Sequence, residues 1–197
     1  MDLFEQKLSQ KLTTEAPLAE KMRPTSFEQF IGQNKLIDND QVPSMILWGP
    51  HGTGKTTLAR IIANKTDSEF VSFSAVTSGV KDLRQIIQKA NDKRKFNQQR
   101  TILFIDEIHR WSKSQQDALL PHVENGIITL IGATTENPSF EVNSALLSRC
   151  RVFILEQLLE IDLVKIIFNA LADKKRGLGR FKVSIKDETV TYLATFS

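Results

Sequence analysis

The sequence predicts an α/β fold: a five-stranded parallel sheet flanked by helices over residues 17–157, followed by part of a small helical lid over residues 158–197. Three observations predict this fold class. A glycine-rich loop joins an apolar run to a helical segment, a second apolar run ends in two carboxylates, and beyond residue 161 only helical patterns appear. A polar arm, residues 1–16, precedes the sheet domain.

The segment before the first strand predicts one short helix. Residues 17–33 contain two prolines, and Ser26 with Gln29 has the spacing of a capping box. We therefore expect a short helix that begins after Ser26.

An eight-residue loop follows the first predicted strand, the apolar residues 45–48. Residues 49–56 fit the pattern G-x-x-x-x-G-K-[ST] in full, and residues 58–63 continue as a helix. Glycines let a backbone bend around a phosphate chain, and the helix N-terminus adds partial positive charge. Lys55 would reach the β- and γ-phosphates, and the Thr56 hydroxyl would hold Mg²⁺. The candidate nucleotide-binding residues of this loop are Gly49, Pro50, His51, Gly52, Thr53, Gly54, Lys55, Thr56 and Thr57.

The next elements are a strand and an amphipathic helix. Residues 70–73 predict the second strand, and apolar residues recur at helical spacing over residues 80–91. Residues 91–100 are polar and basic, which predicts a loop. Its basic run, Lys93-Arg94-Lys95, could contact DNA phosphates, although such runs are more often solvated.

The third strand carries the second candidate site. Residues 101–105 form a continuous apolar run, as suits a parallel sheet covered on both faces, and Asp106-Glu107 follows directly. Because open α/β sheets bind ligands at the carboxyl ends of their strands, Asp106 is placed to support Mg²⁺, through water. Glu107 is placed to polarise an attacking water. Together with the phosphate loop, the acid pair indicates a P-loop NTPase. Residues 114–123 predict the helix that follows.

Two polar positions after the fourth strand are also candidates. That strand, residues 127–133, ends in Thr134-Thr135, and a side chain there could touch a γ-phosphate or the attacking water. An ordinary strand-ending turn is the alternative. Arg149, at the end of a short helix over residues 144–148, could complete a neighbouring subunit's site, or could be a solvated charge or a structural ion pair.

The last elements are a fifth strand, residues 152–155, and two lid helices, residues 161–172 and 186–196. His109 and His122 have no Cys or His partner at metal-ligand spacing, so we interpret both as structural. Trp111 with Lys113 could face DNA, but a buried position for Trp111 is at least as consistent with the pattern.

The composition is that of an ordinary globular protein. Hydrophobic residues make up 41% of the chain and charged residues 25%. The single cysteine, Cys150, excludes an intramolecular disulfide and fits a reducing compartment. The net charge of +3 permits nucleic-acid binding without arguing for it, and the N-terminus lacks a signal-peptide pattern.

Taken together, these motifs resemble AAA+ ATPases of the clamp-loader clade. Three segments resemble the RarA/MgsA family in particular, the replication-associated recombination protein A family, which is akin to the eukaryotic Werner-helicase-interacting ATPase. They are residues 17–24 (PLAEKMRP), 106–110 (DEIHR) and 131–140 (IGATTENPSF). The resemblance runs from about Ala16 to Leu155, and more weakly to Ser197.

The resemblance implies the AAA+ strand order and a site for ATP with Mg²⁺. It implies that the adenine lies beside Arg23, Pro24, Ile31 and Gly32. It also implies that Thr134 is the sensor-1 residue, with Thr135 as a near alternative. Arg149 would be an arginine finger acting in trans, which requires a homo-oligomer.

The resemblance further implies a DNA-stimulated ATPase that acts at stalled replication forks. Its expected partners are forked, single-stranded or gapped DNA, the single-strand-binding protein and, in some members, the sliding clamp, with no membrane partner. The expected location is the bacterial cytoplasm, in association with the nucleoid, or the nucleus if the source is eukaryotic.

The chain departs from the family pattern in several places. His51 stands where proline is usual, Trp111 stands where phenylalanine is more usual, and the segment between Gln33 and Val42 is short. Ser197 lies inside the lid, before the family's sensor-2 arginine and C-terminal domain, and zinc-finger cysteines are absent. We therefore expect a fragment or truncated product that binds nucleotide and hydrolyses it weakly.

The sequence leaves three functions in competition. The leading one is a DNA-dependent ATPase of replication-fork maintenance, recombination and repair. A clamp-loader subunit or a Holliday-junction branch-migration motor is the second, although the segment over residues 132–140 favours the first. A nucleotide-gated interaction module that does not hydrolyse ATP is the third.

Overall fold

The computed structural model describes residues 16–31, 42–74, 79–181 and 183–196. The chain divides into two compact units. The first is Thr25–Gln157, and the second combines the described residues of Met1–Pro24 and Leu158–Ser197. Nearly all of the predicted arm, and the short segment after Gln33, lie outside the described residues.

The first unit is built on one sheet of five parallel strands, which confirms the predicted fold class. The strand order is β2-β3-β4-β1-β5, so β1 has β4 on one side and β5 on the other. The chain reverses its direction of winding beside β1, and such a switch point opens a crevice at the carboxyl edge of the sheet. The strands are β1 (Met45–Trp48), β2 (Glu69–Ser74), β3 (Thr101–Asp106), β4 (Thr129–Thr134) and β5 (Arg151–Ile154).

Helices of very different length connect the strands. Two 3₁₀ turns, Phe27–Gln29 and Ile108–Arg110, complete the pattern. The α-helices are α1 (Leu18–Lys21), α2 (Lys55–Lys65), α3 (Val80–Asn97), α4 (Lys113–Asp117), α5 (Leu120–Glu124), α6 (Pro138–Glu141), α7 (Ser144–Leu147), α8 (Glu160–Ala172) and α9 (Asp187–Thr195).

Two predicted elements were wrong in their bounds, and a third forms where it was predicted but without the expected cap. The loop predicted over residues 91–100 is mostly helix, because α3 continues to Asn97. The single helix predicted over residues 114–123 is two short helices, α4 and α5, with Pro121 in the first turn of the second. The turn after Ser26 forms, but no side chain caps it, and the Gln29 side-chain oxygen accepts from the Thr25 N–H instead.

The sheet has a hydrophobic core on each face, as the continuous apolar strands predict. Alternate residues of β3 serve the two faces, and residues 101–105 are all buried. One core contains Leu103 and Ile105 with the apolar side of α3, and the other contains Ile102 and Phe104 with the apolar side of α2. Trp111 is 4% exposed and stands edge-on to Phe73 in the first core, so its ring does not face DNA.

The second unit contains α8 and α9, which pack against each other. Val190 and Ala194 of α9 are buried, and the Thr195 hydroxyl donates to Glu160 at the start of α8. Among the described residues, no helix has the length and apolar character needed to cross a membrane.

Candidate nucleotide site

The loop between β1 and α2 turns at two glycines. Gly52 and Gly54 have φ angles of 80° and 87°, a region that glycine enters without strain. A side chain at Gly54 would also meet the ring of Phe30, whose atoms lie 2.9 Å from the position of a Cβ. The Thr53 hydroxyl donates to the Pro50 carbonyl at 3.0 Å and closes the turn.

Helix α2 begins at Lys55, directly after this loop. No side chain caps its first turn, since the residue at the N-cap is Gly54. The N–H groups at the start of an 11-residue helix are therefore available to an anion, and the helix dipole favours negative charge there. Thr56 and Thr57 lie in this turn and are partly buried.

Lys55 lies under the loop and is 7% exposed. Its Nζ donates to the carbonyls of Gly49 and Pro50, both at 2.7 Å. Burial lowers the pKa of Lys55, while the charges of Glu107 and Asp106 act in the opposite direction. The structure thus brings the cation of the phosphate loop within electrostatic reach of both acids at the end of β3.

The acid pair occupies the carboxyl end of β3. Asp106 is exposed, and Glu107 adopts a left-handed backbone with φ of 53°. For a non-glycine residue this conformation costs about 1–3 kcal/mol, and such strain clusters at functional sites. The Glu107 Oε2 atom lies 3.3 Å from the His109 Nε2 atom and 3.8 Å from the Arg110 Nε atom.

Thr134 ends β4 next to the phosphate loop. Its carbonyl accepts from the Gly49 N–H at 3.2 Å, and its side chain is fully buried. The Thr134 hydroxyl lies 2.9 Å from the His109 Nδ1 atom, accepts from the Glu136 N–H at 3.0 Å, and lies 3.3 Å from the Glu136 carbonyl. His109 therefore stands between Thr134 and Glu107.

Gln116 forms a buried set of hydrogen bonds that the sequence analysis did not predict. This fully buried side chain donates to the carbonyls of Trp111 and Glu141 at 3.1 and 3.2 Å, and it accepts from the Asn143 N–H at 2.6 Å. It joins the segment after the Ile108–Arg110 turn to α6 and α7. In the sequence Gln116 lies within a polar run, and such a run does not indicate a buried side chain.

Arg149 contacts residues of its own chain. Its Nη1 donates to the Ala145 carbonyl at 2.7 Å and to the Ser148 hydroxyl at 3.0 Å, and its Nε pairs with Glu124. About 40% of its side chain is exposed. These contacts fit an ion pair on the surface; its action on a neighbouring subunit stays a prediction.

The adenine-side residues also stay predictions. Arg23 and Pro24 belong to the second unit, where Arg23 pairs with Glu20 at 2.6 Å. Ile31 belongs to the first unit, and Gly32 lies outside the described residues.

The oxygen atoms near the loop suit a hard divalent cation. The Thr56 hydroxyl at the start of α2 and the Asp106 carboxylate at the end of β3 are ligand types that Mg²⁺ accepts. The uncapped helix end and the buried Lys55 suit the phosphates that would accompany the ion. The residues present therefore fit a nucleotide phosphate chain with Mg²⁺.

Known proteins match this chain in sequence. Residues 45–158 match the family described as the ATPase family associated with various cellular activities (AAA). The chain is 54% identical over 181 residues to the replication-associated recombination protein A of Coxiella burnetii, across 87% of this chain and 40% of that protein. It is also 54% identical over 166 residues to the ATPase WRNIP1 of Dictyostelium discoideum, across 79% of this chain and 19% of that protein.

A solved structure shares the fold as well. The Thermotoga maritima RuvB Holliday junction branch migration motor matches with a TM-score of 0.68 and 30% sequence identity, over 88% of this chain and 59% of that one. The chain spans less than half the length of either curated relative.

Proposed function

This chain belongs to the AAA family of ATPases, and from that premise we propose that it binds ATP with Mg²⁺ and hydrolyses it to act on DNA. The proposed setting is the maintenance of replication forks, recombination and DNA repair. Relatives named replication-associated recombination protein A, similar over most of this chain, support that setting.

The observation that carries the proposal is the placement of Lys55. A buried ammonium group donates to two carbonyls of the phosphate loop and lies within electrostatic reach of the two carboxylates at the end of β3. A cation in this position attracts a phosphate chain, because bound phosphate oxygens would replace neutral carbonyls with full negative charge.

Each candidate residue has a proposed role in hydrolysis. The α2 N-terminus and Lys55 bind the β- and γ-phosphates, while Thr56 and Asp106 hold the Mg²⁺ shell. The metal, when bound, neutralises the charge that develops on the phosphate oxygens. Glu107 polarises the attacking water, and Thr134 responds to the γ-phosphate. Arg149 stabilises the charge that develops on the phosphates bound by the neighbouring subunit.

The nucleic acid and protein partners are also proposals. We propose DNA with single-stranded, forked or gapped structure as the effector, the single-strand-binding protein as a partner, and the sliding clamp as a further one. The likeness to a Holliday junction branch migration motor favours one second candidate, a motor of that kind. The higher identity to the recombination proteins makes this second candidate the weaker of the two.

The proposal is tested by the ATPase rate of this chain with and without forked DNA, four-way junction DNA or single-stranded DNA. Lys55→Ala is the control without phosphate binding, and Glu107→Gln is the control that keeps binding. We expect turnover that requires Lys55 and rises with DNA. Glu107→Gln should retain affinity for a non-hydrolysable ATP analogue and lose about two orders of magnitude or more in rate.

Other outcomes separate the alternatives. Tight ATP binding without turnover, at any DNA or protein concentration, would support the non-hydrolysing interaction module instead. Stimulation by four-way junctions alone would support the branch-migration motor. An unchanged rate in Glu107→Gln would remove Glu107 from its role.

A further inference from the structure

Both ring nitrogens of His109 face residues of the candidate site. Its Nδ1 atom lies 2.9 Å from the Thr134 hydroxyl, and its Nε2 atom lies 3.3 Å from the Glu107 carboxylate. These partners come from different strands, since Thr134 ends β4 and Glu107 follows β3. The imidazole is therefore a bridge between them, and its side chain is only 15% exposed.

The groups at the two ends of this bridge indicate which atoms carry its protons. A carboxylate only accepts hydrogen bonds, so the ring nitrogen facing Glu107 carries a proton. In the neutral ring Nδ1 is then an acceptor, and the Thr134 hydroxyl donates to it. The Glu136 N–H donates to the same hydroxyl oxygen at 3.0 Å, and the Glu136 carbonyl is a second, more distant acceptor for the Thr134 hydroxyl at 3.3 Å. The His109 ring is the nearer acceptor at 2.9 Å, which favours a donor order from Thr134 through His109 towards Glu107.

The burial of Thr134 restricts what its hydroxyl can touch. The side chain is fully buried, and its oxygen already has the His109 ring, the Glu136 N–H and the Glu136 carbonyl around it. A phosphate oxygen would have to displace these groups to reach it. The hydroxyl is better placed to orient His109 than to bind a phosphate directly.

We infer that His109 is a positioning residue for Glu107, and that Thr134 acts on Glu107 through His109 rather than through its own contact with the γ-phosphate. The inference rests on the proposed function, in which Glu107 polarises the attacking water. The 3.3 Å contact is long for a hydrogen bond, as is common before substrate binds, and it would tighten in the active complex. The guanidinium of Arg110 is more distant from the Glu107 carboxylate, at 3.8 Å, and its side chain is mostly exposed.

A double-mutant cycle in the full chain tests the route. We expect His109→Ala and Thr134→Val each to lower kcat about tenfold or more, as removal of a supporting partner does, with little change in ATP affinity. The double variant should be no slower than His109→Ala alone, because Thr134 has no other route to Glu107. Thr134→Ser, which keeps a hydroxyl, should keep most of the rate, and His122→Gln serves as a matched histidine control.

Two kinetic results would overturn the inference. A further large loss when Thr134→Val is added to His109→Ala would mean that Thr134 acts independently, as a direct phosphate contact would. A near-normal kcat in His109→Ala would mean that the ring does not position Glu107.

A second measurement does not depend on turnover. The chain has three histidines, so ¹⁵N spectra of the imidazole rings can be assigned by the signals lost in His109→Gln. We expect the Nε2–H tautomer for His109 in the wild type, and a change of tautomer or ring shifts in Thr134→Val and in Glu107→Gln. Unchanged His109 signals in both variants would overturn the inference, whereas a failure of wild-type ATP binding would instead overturn the proposed function.

Discussion

Glu107 combines a strained backbone with a charge close to a buried cation. Its φ of 53° turns the chain sharply after β3, and its carboxylate opposes the lowering of the pKa of Lys55 that burial causes. The next residue, Ile108, is fully buried, and its Cδ1 atom lies 3.0 Å from the position of a Cβ on Gly132, where Ile46 of β1 comes closer still at 2.7 Å. Packing of Ile108 on β4 therefore fixes where the turn begins, and the turn fixes where Glu107 points.

Cys150 is predicted to be an unreactive thiol in the folded chain. It packs against the core on the α3 side of the sheet, and burial raises its pKa to about 12 from 9.0. At mildly alkaline pH its alkylation by iodoacetamide should be slower by about a thousandfold than that of the unfolded chain, since the thiolate is the nucleophile. The measurement is the rate of mass increase, with and without denaturant.

The raised pKa of Cys150 also makes the free energy of unfolding depend on pH. Between pH 9.0 and about 12 the unfolded thiol has lost its proton and the folded thiol keeps it, so the unfolded state binds fewer protons. The contribution of Cys150 to the free energy of unfolding therefore falls as pH rises through this range. Equal alkylation rates in the folded and unfolded chain would show that the thiol is not protected.

Single residues were predictable where the chemistry lies in consecutive positions. Lys55 and Glu107 follow from short motifs, because the loop and the strand end each carry their signal within a few residues. The contact between His109 and Thr134 joins residues 25 apart, one in the 3₁₀ turn after β3 and the other at the end of β4, and no local spacing encodes it. His109 was accordingly interpreted as merely structural.

At the scale of elements, α3 shows how tertiary contacts extend a helix. Its buried apolar residues end at Ala90, but Lys93 pairs with Glu69 of β2 at 2.6 Å, and Arg94 donates to the Gly126 carbonyl. Lys, Arg and Gln are good helix formers, so polar sequence alone did not justify a loop. The contacts that stabilise the last turns come from β2 and from the turn before β4. Both are distant in the sequence, so local sequence patterns do not predict them.

The end of α3 offers a test of backbone strain. Gln98, at the C-cap, has φ of 54°, and only glycine adopts this region at no cost. Gln98→Gly should raise the free energy of unfolding by about 0.5 kcal/mol, because relief of strain exceeds the entropy that glycine adds to the unfolded chain. Gln99→Gly is the matched control, since Gln99 lacks a positive φ, and it should lower the stability. Denaturant titration of both variants measures the difference, and a loss of stability in both would contradict the strain argument.

At the scale of the whole molecule, the sheet was the most predictable part. Five apolar runs of strand length, separated by helical segments, specify parallel strands and a site at their carboxyl edge. The unit to which residues 17–24 belong was not predictable, because that depends on contacts with residues far along the chain. The in-trans role of Arg149 depends on a second copy, and neither the sequence nor one chain contains that information.

Mixing two inactive variants tests whether the active form shares its sites between subunits. Arg149→Ala keeps Glu107 but lacks the proposed arginine finger, and Glu107→Gln keeps that arginine but lacks the carboxylate that we propose to be catalytic. If Arg149 acts in trans, a mixed oligomer contains sites that combine the Glu107 of one subunit with the Arg149 of its neighbour. An equal mixture should then recover part of the wild-type ATPase rate, more so at high protein concentration, while each variant alone stays inactive. The control mixture, Lys55→Ala with Glu107→Gln, has no site that both binds ATP and holds Glu107, so it should stay inactive. If the first mixture stays as inactive as the control while the wild type turns over, Arg149 does not act across a subunit interface, and its pair with Glu124 is a structural one.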